Sequence, residues 1–235
     1  MHPYYPPDAV ISDYAPNEWG TLPLVSIFAG VCALIFLTTY AGCLRMRPHI
    51  PTTELWTVLW FVLCGAIHLL LEGYYATTFH NIASKQTLLA QLWKEYSMSD
   101  SRYLTQDAFV LCMETITAVC WGPLSLVVAL FIALDHPLRH PLQLVVSLGQ
   151  LYGDVLYYAT CFFQHQVYHL SYSRPEAFYF WGYFVFLNAF WIVLPSVLII
   201  NSIKACGKAF AVVQGMKHGG GETITGVGKR KTKSN

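Results

Sequence analysis

The sequence predicts an all-α, polytopic membrane protein: a bundle of five transmembrane helices enclosing an intramembrane ligand cavity. Three observations lead there. Hydrophobic residues make up 55% of the 235 and charged residues only 11%, against roughly 45–50% and about 25% in soluble domains. Five stretches are each apolar enough, and close enough to the roughly 20 helical residues required, to cross about 30 Å of hydrocarbon. The few ionisable residues inside those stretches are acids and a histidine, with no lysine or arginine among them. A soluble globule of this size could not hide so much apolar surface, and the same composition excludes disorder over most of the length.

The stretches are Leu22–Leu44, Leu55–Thr77, Ala108–Leu134, Leu142–Phe163 and Phe178–Ile203. The first carries no charge. Pro123 and Pro195 fall inside the third and fifth and are expected to kink them, which neighbouring helices can accommodate. Residues 1–21 are rich in Pro and Tyr, acidic, and lack the basic start of a secretory signal. Residues 78–107 form the one long loop, and its QLWKEYSMSDSRY stretch mixes aromatics with charges, as a segment at the interface or capping the bundle would. The chain therefore divides into an N-terminal segment (1–21), a five-helix membrane domain (22–203) and a basic, Gly- and Lys-rich flexible tail (204–235). No internal repeat is evident, which argues against inverted-repeat transporters.

Charge sets the orientation. Ten Lys/Arg lie in the tail and in the 45–54 and 135–141 loops, and four on the other side. The positive-inside rule then places the C-terminus in the cytosol and the N-terminus across the membrane. Lys233 and Lys231 stand third and fifth from the end of the sequence, a spacing that resembles the dilysine retrieval signal of endoplasmic-reticulum membrane proteins. Attraction of a basic tail to anionic lipid is the plainer alternative. Without a basic patch interleaved with aromatics elsewhere, nucleic acid is not an expected partner. The seven cysteines lie almost entirely in apolar runs with no CxxC pair, so they read as small buried hydrophobes rather than a zinc site or disulfide framework.

An ionisable group inside a span costs about 2.5–3.5 kcal/mol for Asp, Lys or Arg at the centre. Here they are His68 and Glu72 in the second span, Glu114 in the third and Asp154 in the fourth. His68 and Glu72 are spaced i,i+4 and share a helix face. Counting about 1.5 Å per residue puts Glu72 about 9 Å past the midplane and Glu114 about 10 Å on the same side, so the two acids can face each other across one hairpin. Thr117 lies one turn from Glu114, and Trp121 one turn further. Asn188 and Trp191 sit near the centre of the fifth span, and Asp154 has Gln150 and Tyr158 on its face. Each has a bland alternative: a hydrogen-bonded structural histidine, a clamp between helices for Asp154, interhelical glue for Asn188, packing for the tryptophans.

Two acids without a cation are expensive as mere packing, so either the carboxyls are protonated or they share protons with His68 and other donors. Metal is not expected, because a di-iron bundle would want Glu-x-x-His pairs. Nor does a Ser or Cys pair with a base as in a nucleophilic triad. Two carboxyls, an imidazole and an aromatic wall in a dry cavity suit adding a proton at one carbon and removing one from a neighbour. A rigid polycyclic olefin dissolved in the bilayer would be a fitting substrate.

CGAIHLLLEGYY, QLWKEYSMSDSRY, CMETITAVCWGPLSL, HPLRHPLQLVVSLGQLYGDVLYY and YFWGYFVFLNAFWIVLP resemble the emopamil-binding-protein family of sterol Δ8–Δ7 isomerases, within the EXPERA superfamily. The similarity runs from about residue 55 to 200. The first 20 residues, the 78–88 and 164–177 loops and the tail match poorly and are expected to say little about function. The resemblance implies shifting the ring double bond of a 3β-hydroxysterol from 8(9) to 7(8) without a cofactor, by protonation at C9 and loss of a C7 proton. It places His68 and Glu72 where the family's acid–base pair stands, Glu114 where its partner carboxylate stands, and Thr117, Asn188 and Trp191 at positions lining and polarising the sterol pocket, with Trp191 facing the cation. Tyr103, Asp154 and Trp121 are further candidates. The family also binds cationic amines, which imitate the carbocation, so sterol, amines and membrane lipid are the expected ligands, and a second copy of the chain is a candidate partner. A non-catalytic sterol- or amine-binding protein of the same superfamily is the alternative.

Overall fold

A computed structural model describes residues 2–222, with side chains to residue 216. The described residues are helical, with no strand among them. The main helices are α1 (Thr21–Met46), α2 (Thr52–Thr78), α3 (Leu88–Tyr96), α4 (Ala108–Ala133), α5 (Arg139–Tyr168) and α6, which spans Phe178–Met216 and continues to Glu222. Side-chain caps define two of the starts: Thr87 accepts from the Ala90 N–H at α3 and Asp107 from the Val110 N–H at α4, each satisfying a donor the helix leaves unpaired.

α1, α2, α4 and α6 are long and apolar enough to cross a membrane. α5 has 30 residues, but Gln143, Ser147, Gln150 and Asp154 are buried along its inward stripe, and these polar groups dilute its hydropathy. α2 packs on α4 and α5 on α6, while α1 leans mainly on α2 and α3. One core cluster joins α2 to α4 through Val58, Phe61, Cys64, Val128 and Ile132.

Three helices contain wide turns with i→i+5 bonding: Ile67–Glu72 in α2, Thr117–Trp121 in α4 and Phe178–Leu187 opening α6. In α2 the Gly73 N–H reaches His68 O, and in α4 the Gly122 N–H reaches Thr117 O. Pro123 follows directly on the second of these, where the regular ladder is already interrupted, so its missing N–H costs little. Such turns cluster at functional sites, and here the first two pack against each other. Gly122 makes that approach feasible, because a Cβ there would lie 2.9 Å from Leu69 Cγ and 3.3 Å from His68 Cβ.

Above these turns sits a cap of α3 and the 3₁₀ turns Ile82–Ser84 and Ser101–Tyr103. The N-terminal residues are strapped over it. Tyr4 is fully buried and donates to Lys94 O (3.1 Å), Lys94 Nζ donates to Ala15 O (2.8 Å), and the Trp19 N–H reaches Gln91 Oε1 (3.0 Å). The first 20 residues and the 78–88 and 164–177 segments thus become part of the cap, the last through Ser101 N–H to Tyr172 O and Arg174 N–H to Met98 O. At the other end, residues 204–222, expected as the start of a flexible tail, continue α6. Ala205, Ala209, Ala211 and neighbouring apolar residues keep the helix favourable there. Lys231 and Lys233 lie outside the described residues.

Candidate active site

The wide turn in α2 presents His68 and Glu72 inward together. His68 Nδ1 lies 2.8 Å from Glu72 Oε1, and His68 Nε2 lies 3.1 Å from Gln150 Nε2 of α5. Glu72 and Gln150 thus hold the imidazole between them, one at each ring nitrogen. Glu114 faces this pair from the last α-helical turn of α4 before its wide turn, and its Oε1 accepts from Tyr103 of the cap at 2.7 Å. Glu72 and Glu114 line the same cavity, from the two helices whose wide turns pack against each other. His68 is 2% exposed, Glu114 5% and Glu72 9%. Among the described residues no Lys or Arg pairs with either acid or with Asp154.

These groups line one cavity of about 1120 Å³ whose wall is otherwise mostly apolar and aromatic. Thr117, Asn188, Trp191, Tyr103 and Asp154 line it too. The Trp191 ring lies 6.3 Å from His68 and 5.4 Å from Trp60. Asn188 Nδ2 donates to Tyr96 Oη (2.9 Å) and to Phe184 O (2.8 Å), which fixes the amide in the cavity wall. Thr117 returns its hydroxyl to Met113 O (2.8 Å). Asp154 is buried with Oδ2 unpartnered. Trp121 is placed differently: it lies outside the cavity wall, against α5, where a Cβ on Gly149 would fall 2.4 Å from its ring.

Two supports escaped the sequence reading. Gln150 shares a helix face with Asp154, yet it reaches His68 across the bundle. The second is the buried pair Asp100–Arg102. The guanidinium grips Asp100 through Nε (3.0 Å) and Nη2 (2.7 Å), donates from Nη1 to Thr160 Oγ1 (2.8 Å), and lies 4.9 Å from the Tyr157 ring. Burial works against the charge on Arg102, but the Asp100 carboxylate outweighs it and raises the guanidinium pKa. The pair flanks Tyr103 and ties the cap to α5, so it sets where the Tyr103 hydroxyl meets Glu114. The signal available in the sequence was two opposite charges spaced i,i+2 beside a tyrosine, in a segment otherwise fit for burial.

Fold and site together define an all-α protein with several helices apolar enough for a membrane, built around a chamber with buried, uncompensated acids. Residues 88–202 match the family described as EXPERA (EXPanded EBP superfamily). The chain is 41% identical over 214 residues to 3-beta-hydroxysteroid-Delta(8),Delta(7)-isomerase of Mus musculus, covering 91% of this chain and 92% of the relative. The proteins of the same name from Rattus norvegicus and Cavia porcellus are 40% and 38% identical, each over 87% of this chain and 88% of the relative. The chain belongs to the EXPERA superfamily.

Proposed function

We propose that this chain is a 3β-hydroxysteroid Δ8,Δ7-isomerase of sterol biosynthesis in which His68, Glu72 and Glu114 handle the protons. One observation carries the assignment of roles: the His68–Glu72 pair and the Tyr103-bound Glu114 converge, without a cation, on one apolar cavity. Two adjacent carboxyls in a dry chamber repel if both are ionised, so the pair retains a proton. That proton is added to C9 of the Δ8 double bond, and the π electrons form the new C9–H bond. The cation left at C8 lies beside the conjugate carboxylate. Loss of a proton from C7 to the acid–histidine set gives its C–H electrons to the C7–C8 double bond, so the protons balance and no cofactor is consumed.

The aromatic wall stabilises the cation by about 0.5–2 kcal/mol, with Trp191 nearest the His68 ring. The carbonyl of Asn188 and the oxygen of Thr117 add dipoles. Asp154 is a further polar group on the wall. The same features accommodate an ammonium group, so cationic amines compete with sterol.

In the membrane arrangement that accompanies this reading, α5 is the fifth span, supported by its 30-residue length and its position between α4 and α6. The cavity then lies within the bilayer. The N-terminal segment (1–21) and cap are lumenal, residues 22–203 form the membrane domain, and the tail from 204 is cytosolic in the endoplasmic reticulum. Two copies pairing in the membrane would be compatible with the lipid-facing surfaces.

The test is conversion of a Δ8-sterol in heavy water by the purified protein. A single solvent deuterium is expected in the Δ7 product. Glu72→Gln and Glu114→Gln are expected to lose about 10²–10⁴-fold in turnover, the usual weight of general acid–base groups, while folding normally. Full rates in both variants would remove their assigned roles, and sterol binding with no deuterium uptake would make the chain a binder.

A further inference from the structure

We propose that Glu95 and Tyr183 receive the 3β-hydroxyl of the sterol at the cap end of the cavity, with the sterol side chain running down the opposite arm. This rests on the isomerase reading and adds the direction in which the substrate lies. Tyr183 donates to Glu95 Oε1 at 3.2 Å, both residues are buried and both line the cavity. Glu95 has no ion-pair partner among the described residues. The proton chemistry leaves this carboxyl unused, and a carboxyl held at the end of an apolar cavity calls for a donor.

The cavity is lopsided about the acids. Towards the cap, Glu114 is separated from the Glu95–Tyr183 pair by two rings, Tyr103 and Tyr96, with centroids 5.4 Å apart and Tyr96 6.5 Å from Tyr183. In the other direction the wall runs along α6 from Asn188 to Asn201, about 20 Å at ~1.5 Å per residue. That long arm is lined by Phe36, Trp56, Leu194 and Val197.

The substrate is lopsided in the same sense. With carbon–carbon bonds of about 1.5 Å, the 3-hydroxyl oxygen lies roughly 6 Å from the C8–C9 bond, and the end of the side chain roughly twice as far on the other side. A hydroxyl bound near Asn201 would hold the double bond on the order of 10 Å short of the acids by the same arithmetic. A hydroxyl at the cap brings C8 and C9 beside Glu72 and Glu114 and gives the side chain the long apolar arm. The sterol O–H then donates to Glu95 next to the phenol. This is also how a sterol sits in the leaflet on the cap side, hydroxyl outward, so binding requires no inversion.

The experiment compares a 3β-hydroxy-Δ8-sterol with its 3-deoxy analogue on the full-length protein in lipid nanodiscs. Wild type is expected to favour the hydroxylated substrate about 10–100-fold in kcat/KM, as loss of a charge-assisted hydrogen bond implies. Tyr183→Phe and Glu95→Gln are expected to bring that preference within about threefold of unity, by the loss of that bond alone. Asn201→Ala should retain the preference. The 3-deoxy substrate controls for folding, since a misfolded variant loses both. Wild-type preference in both cap variants, or its collapse in Asn201→Ala, overturns the orientation. Equal turnover of the two substrates by wild type overturns the hydroxyl site but leaves the isomerase standing. Turnover of neither removes the isomerase itself.

Discussion

Tyr103 and Glu114 show how much one hydrogen bond can organise. The phenol donates to Glu114 at 2.7 Å inside a cluster of Tyr75, Trp93 and Tyr96 rings, so the carboxyl is held in place from the cap side. Tyr103→Phe should leave the packing intact and lower kcat about 10-fold with little change in KM, the split expected when a group is positioned rather than bound less tightly. Steady-state kinetics on the Δ8-sterol would check it, and an equal rise in KM would count against positioning. Trp191, 6.3 Å from His68, is the second residue to test. Trp191→Leu should weaken a cationic amine about 3–30-fold more than its neutral isostere, as loss of a cation–π contact requires. Competition binding with the two compounds measures that difference. Much of this was legible from residue type and spacing: His68, Glu72 and Glu114 stand out because acids inside apolar runs are costly. Gln150 and Glu95 were not, since an amide on a long helix and a carboxylate in a charged loop carry no local mark of what they reach.

At the scale of elements, contacts between helices matter more than their boundaries. The α4–α5 seam depends on Gly149, whose missing side chain admits the Trp121 ring. Gly149→Ala should therefore cost about 1–3 kcal/mol by overpacking, seen as a lower Tm in detergent. The cap depends on Asp100–Arg102, 0% and 2% exposed. Arg102→Met leaves a buried carboxylate without its partner and should cost about 3–5 kcal/mol, whereas adding Asp100→Asn should restore much of the loss. Thermal melting of the single and double variants checks the pattern, and additive losses would show that the pair does not act as a unit. The sequence reading treated each span as ideal α-helix. The wide turns at Ile67–Glu72 and Thr117–Trp121 change which residues share a face beyond them. That is why Trp121, expected to continue the Thr117 stripe, turns instead to α5.

For the whole molecule, the N-terminal residues and the 164–177 loop close the cap over the chamber although their sequences are uninformative. Deleting residues 2–17 removes the buried Tyr4 and the Ala15 carbonyl that receives Lys94. The truncated protein should melt at lower temperature and lose turnover through the displaced Tyr103, while retaining its membrane insertion. Limited proteolysis of the 97–106 segment would report the loosened cap, and unchanged cleavage with unchanged rate would show that the strap is dispensable. What the sequence determined by itself was the helical, apolar character of the chain and its uncompensated acids, because transfer to hydrocarbon depends on composition within one segment. Tertiary structure alone decided the lopsided cavity, the wide turns that meet at Gly122, and the cap that grips Glu114. Those features arise from close packing between segments far apart in the chain, where a partner's shape outweighs local preference.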